Sequence, residues 1–134
     1  EAIVADPPAG GEAALLALIF GYYDHSLEWL SKEMWRSAMA LSIEAPETPN
    51  GRRYLELDQR LAGQVTALLR ALQARGDVRA DLDASLLGQL LFNNLNMEFI
   101  EFAKDEGMTL AALRARVANQ VRPVARLIAT EERE

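Results

Sequence analysis

The chain has 134 residues, half of them hydrophobic and a quarter charged, with a net charge of −6, one histidine and no cysteine. That length suits one domain burying about two thirds of its unfolded surface, and the apolar content excludes a disordered chain. Disulfide and thiolate chemistry are excluded with cysteine, no apolar run approaches the roughly 20 residues of a membrane span, and the acidic balance gives no general attraction for a phosphate backbone.

Glu1 to Gly11 lacks the basic and apolar runs of a signal peptide. This stretch reads as an irregular linker or the remnant of a preceding module, ahead of a helical domain over 12–134. The acidic excess lies early, with 8 acidic and 2 basic side chains in residues 1–50 and 12 of each thereafter. Leu15, Ile19, Tyr22, Leu27 and Leu30 place a first helix over about 12–30. Ser31 is the expected N-cap of a shorter helix over about 32–44, with Met34, Trp35, Ala38 and Met39 as its bulky face. Two prolines and a closing glycine then break the chain between Ala45 and Gly51. The spacing of Leu57, Leu61, Val65, Leu68 and Leu72 predicts a third helix from about Arg52 to Arg75.

Gly76 stops that helix where a left-handed residue is wanted, and Asp83 can cap the next one. The fourth helix runs from about Ala84 to Lys104, and Gly107 ends it. Thr109 opens a fifth, whose stripe is Leu110, Leu113, Val117, Val121, Val124 and Ile128. Pro123 falls inside that stripe, where a kink is expected rather than a stop. No strand-type alternation and no internal repeat appear. The expected fold is all-α with about five helices, whose heptad-like spacing suits bundle packing at about 20°.

The fourth helix carries two apolar arcs. Leu91, Phe92, Leu95, Phe99 and Phe102 share one, with Gly88 and Ala84 admitting a close neighbour; Leu82, Leu86, Leu90, Met97 and Ile100 form the other. Such a helix is either the central one of a monomer or is buried both in its own domain and against a partner. We adopt the second reading. The last helix has small residues (Ala111, Ala112, Ala115, Ala118, Ala125) that permit close approach. The last two helices therefore look like half of an intermolecular four-helix bundle in a homodimer. Its expected contacts are Leu91, Phe92, Leu95, Phe99, Leu113, Val117, Val121 and Val124.

This layout resembles the C-terminal regulatory domain of the tetracycline-repressor (TetR) family of transcription regulators. The resemblance covers about residues 12–128. It is most specific from Leu68 through Arg75-Gly76-Asp77-Val78-Arg79-Ala80-Asp81-Leu82-Asp83 into Leu86-Leu87-Gly88-Gln89-Leu90-Leu91-Phe92. Glu33-Met34-Trp35-Arg36 resembles the family's short helix after its first long one. The resemblance implies a homodimer through the last two helices and a pocket for a small organic effector, enclosed by the earlier helices and the fourth. The family's N-terminal helix-turn-helix module has no counterpart in these residues, so DNA would be reached only through a segment preceding them. A self-contained helical scaffold without a ligand is the alternative.

Tyr22, Tyr23, Trp29, Trp35, Met34 and Met39 crowd the first two helices, and their mix of apolar area, polar tips and adaptable shape suits such a pocket or an ordinary core. Asn93, Asn94 and Asn96 can satisfy one another across a dimer seam, bond to backbone, or face a ligand. The ligand residues expected are Tyr22, Tyr23, His25, Trp29, Trp35, Met39 and Asn94. Glu98 and Glu101 share a face and read as a solvated acidic edge. They can pair with Arg114, Arg116, Arg122 and Arg126, which themselves read as an ion-paired face rather than a nucleic-acid patch. Without a second histidine or a cysteine no nucleophile–base set or structural zinc site assembles. No catalysis, cofactor or membrane contact is expected, and the cytoplasm is the expected location.

Overall fold

Short polar side chains and one glycine set where the helices begin and end. The computed structural model describes residues 2–5 and 10–130, which form α1 (Ala2–Ala5), α2 (Gly11–Trp29), α3 (Lys32–Glu44), α4 (Pro49–Arg75), α5 (Ala84–Lys104) and α6 (Leu110–Ile128). The fold is all-α: the described residues hold no strand, only an isolated antiparallel bridge between Val78 and Ala129. The segment expected to be irregular contains the single turn α1, whose Ile3 and Val4 pack against the core; Glu1 and residues 6–9 lie outside the described residues.

Ser31 Oγ accepts the Met34 N–H at 3.2 Å, and Thr109 Oγ1 accepts that of Ala112 at 3.1 Å. Asp83 Oδ1 takes two N–H groups, from Ser85 at 3.0 Å and Leu86 at 3.2 Å. Each cap satisfies donors that the first helical turn leaves free. α4 begins three residues earlier than the sequence predicts, because Thr48 caps it and Pro49 opens its first turn. Gly76 ends α4 at a φ of 89°. α5 has the expected span but is C-capped by Asp105 rather than ended by Gly107, and α6 passes through Pro123 without interruption.

α4 packs most extensively against α5. At their crossing a Cβ on Gly88 would overlap the Thr66 hydroxyl and lie 3.1 Å from its Cα, so the close approach depends on glycine. α3 lies across both helices. Its Lys32 Nζ donates to the carbonyls of Asp105 and, at 2.7 Å, Met108; Arg36 donates to that of Ala103 at 2.7 Å. Two cations thus sit at the negative end of α5. α2 packs between α4 and α6. The far end is tied by Val78, which is buried, by the Arg79 N–H to Ile128 O bond at 2.9 Å, and by Thr130 Oγ1 to Gly76 O at 2.6 Å.

The burial pattern corrects the assignment of faces. Leu91, Phe92, Leu95, Phe99, Leu113, Val117 and Val121, expected at a dimer seam, are core residues of the single chain and at most 8% exposed; Val124 is half-buried at its margin. They face inward because α5 turns its aromatic arc, with Gly88, toward its own neighbours. The uncovered arc is the other one, where Leu86 is 66%, Leu90 67% and Met97 53% exposed. Glu98 is also corrected: it is buried, not solvated, with Arg116 Nε 2.7 Å and Gln120 Nε2 2.8 Å from its carboxylate. The reading of the α6 arginines as an ion-paired face holds for three of the four, since Arg114 meets Asp24 and Arg122 meets Glu12 beside the Arg116 pair.

Candidate functional site

Four helices turn side chains toward one cavity. From α2 come Ile19, Tyr22, Tyr23 and Ser26, and from α4 Tyr54, Leu57, Asp58 and Leu61. Each set has the i, i+3, i+4, i+7 spacing that keeps side chains on one helix face. Trp35 enters from α3, and Leu95, Asn96 and Phe99 from α5. The chamber is partly open and holds about 40 Å³, enough for a few waters and well below the usual span of ligand pockets. Beside it lies a more open groove of about 410 Å³, which shares Tyr22, Ser26, Trp35 and Leu57 and is bordered by His25, Trp29 and Arg60.

The aromatic rings hold one another. Trp35 meets Phe99 and Tyr54 edge-on, with centroids 5.6 and 6.1 Å away, and Tyr23 stacks on Phe99 at 5.6 Å. Backbone carbonyls fix two of the polar tips: Trp35 Nε1 donates to Ser26 O at 3.0 Å and Tyr23 Oη to Leu95 O at 3.2 Å. The remaining polar side chains of the wall are Tyr22, Ser26, Tyr54, Asn96 and Asp58. Among the described residues none of their side chains makes a hydrogen bond or ion pair. Burial pushes the Asp58 carboxyl up to about 6. Burial, and then the nearby Asp58 charge, raises the Tyr22 and Tyr54 hydroxyls; Tyr23 is raised by burial and then by Glu98.

The structure brings together only part of the expected ligand set. Tyr22, Tyr23 and Trp35 line the chamber. His25 and Trp29 lie on the outer groove, both exposed. Met39 is buried in the core away from the cavity wall, and Asn94 faces the other way, bonded to Gln120 of α6. Sequence reasoning missed Tyr54 and Asp58, and assigned Phe99 to a partner chain. Their signal was available: Asp58 is an acid on the edge of the apolar stripe that runs from Leu57 to Leu72. Among the described residues no three metal-ligating side chains converge.

A second concavity lies on the outer side of the molecule, between α5 and α6. It holds about 530 Å³ and is bordered by Leu87, Leu90, Asn94, Asn119, Pro123 and Val124. Comparison with protein-family models, curated proteins and solved structures returns no match to this chain.

Proposed function

We propose that this chain is the effector-sensing, homodimerising regulatory domain of a transcription regulator of the tetracycline-repressor type, acting in the cytoplasm. The observation that carries the reading is the division of labour on α5. Its inner arc supplies Leu95, Asn96 and Phe99 to the chamber, while its outer arc leaves Leu86, Leu90 and Met97 bare, with Leu127 of α6 also bare at 75% exposure. One helix therefore forms both a cavity wall and an uncovered apolar face. A second copy across a two-fold axis can bury that face with its own α5 and α6, each outer ridge entering the other's groove.

In this mechanism a small organic effector enters between Tyr22 and Trp35 and displaces side chains that rest on Phe99. α5 then shifts, and the two protomers settle at a different spacing. DNA-reading heads carried on a helix-turn-helix module outside these residues would gain or lose their fit to half-sites one helical turn apart. The same bare arc supports the dimer whether or not a ligand is bound.

Native mass spectrometry at low micromolar concentration tests the assembly. The wild-type chain is expected at twice 14.8 kDa. Leu90→Lys, which places a charge at the centre of the outer arc, is expected as a monomer with an unchanged helical spectrum. A wild-type chain that stays monomeric sinks the reading.

A further inference from the structure

We propose that the cavity takes a lipophilic organic cation, with its charged head in the inner chamber against Asp58 and its apolar body along the outer groove over Tyr22 and Trp35. The inference rests on the effector-cavity reading above and narrows its ligand to one chemical class.

Three observations converge on it. First, the chamber is walled by ring systems, Tyr23, Trp35, Tyr54 and Phe99, whose faces carry negative potential and attract cations. Second, the one carboxylate on that wall lacks a countercharge. Elsewhere the chain pairs its partly buried acids closely: Glu98 has Arg116, and Glu12 has Arg122. Asp58 has no such partner among the described residues, and the basic group nearest in sequence, Arg60, borders the outer groove instead. Third, the volumes divide the ligand. About 40 Å³ inside admits a compact head, and about 410 Å³ outside accommodates a larger body on the shared wall.

The alternatives fail on charge. An anion meets Asp58 and the raised tyrosines, and a neutral ligand strips water from a carboxylate without replacing it. A cation supplies the missing partner, and the same group then discriminates against its uncharged analogue. The groups that share the chamber wall with Asp58 are Tyr22, Tyr23 and Ser26 from α2, Trp35 from α3, Tyr54 from α4, and Asn96 and Phe99 from α5, while the Arg60 charge on the adjoining groove acts on Tyr22. Burial holds the three tyrosines neutral well above neutral pH. Asp58 is thus the group on that wall whose charge changes near pH 6.

Phenyltrimethylammonium and its uncharged isostere tert-butylbenzene are suitable probes, because neither titrates. Calorimetric titration of the full chain at pH 8 is expected to show the cation binding at least about thirtyfold more tightly. Its affinity should then fall by about tenfold per pH unit below pH 6, as the free carboxyl takes up its proton. Asp58→Asn should abolish both the preference and the pH dependence. Equal binding of the two probes, or cation binding that Asp58→Asn leaves intact, overturns the cation inference while leaving an effector cavity. Failure of both probes to bind overturns the effector reading as well.

Discussion

Two carboxylates of this chain respond to burial in opposite ways, and the difference lies in their neighbours. Glu98 is held by Arg116 and Gln120, and those hydrogen bonds keep its carboxyl below the usual range. Its contribution to stability is present above the unfolded carboxyl range and is lost as pH falls through its lowered value. Asp58 has burial without a partner, so its folded pKa of about 6 lies above the unfolded value. The unfolded chain releases that proton first. Asp58 therefore favours the fold only while protonated, and that contribution is lost as pH rises from about 4 through 6. Asp58→Asn removes the ionisation and keeps the shape. The variant is expected to be more stable than wild type at pH 8 by about 1–2 kcal/mol after solvent screening, and less different at pH 4. Thermal melts of both chains at the two pH values check the sign; a destabilised variant at pH 8 would show that the carboxylate has a partner.

At the scale of helices, the α4–α5 crossing is the most extensive single contact. Gly88→Ala forces a methyl into Thr66, whose backbone belongs to a helix that cannot yield locally. A loss of about 1–3 kcal/mol is expected, read as a lower denaturation midpoint at unchanged slope. A neutral result would mean that the two helices separate freely. Helix limits were legible in the sequence because Ser31, Gly76, Asp83 and Thr109 act through hydrogen bonds or dihedrals within a few residues of themselves. The rotation of α5 was not. Both of its arcs are apolar, so periodicity cannot say which one turns inward. Gly88 held the answer, since the residue that admits a neighbouring backbone must lie on the inner side. The cavity was half legible for a related reason. Tyr22, Tyr23 and Trp35 stand out by type, but Tyr54 and Asp58 join them only once α4 is rotated against α2 and α5.

In the whole molecule, α5 stands between a chamber on one side and a bare apolar ridge on the other. Under the reading proposed here, occupancy of one side and coverage of the other form a closed thermodynamic cycle. Whatever factor a bound cation applies to dimer dissociation, dimerisation must apply to cation affinity, and such couplings typically reach about 5–150-fold. The Leu90→Lys monomer is thus expected to bind phenyltrimethylammonium with an affinity different from that of the wild-type dimer. The ratio should match the shift in the dimer dissociation constant on saturation with the cation. Identical affinities would mean that α5 keeps its two sides independent, and the regulatory reading would fall. If the ratio holds, dilution itself becomes a signal: how strongly the chain senses its effector depends on how much of the chain the cell makes.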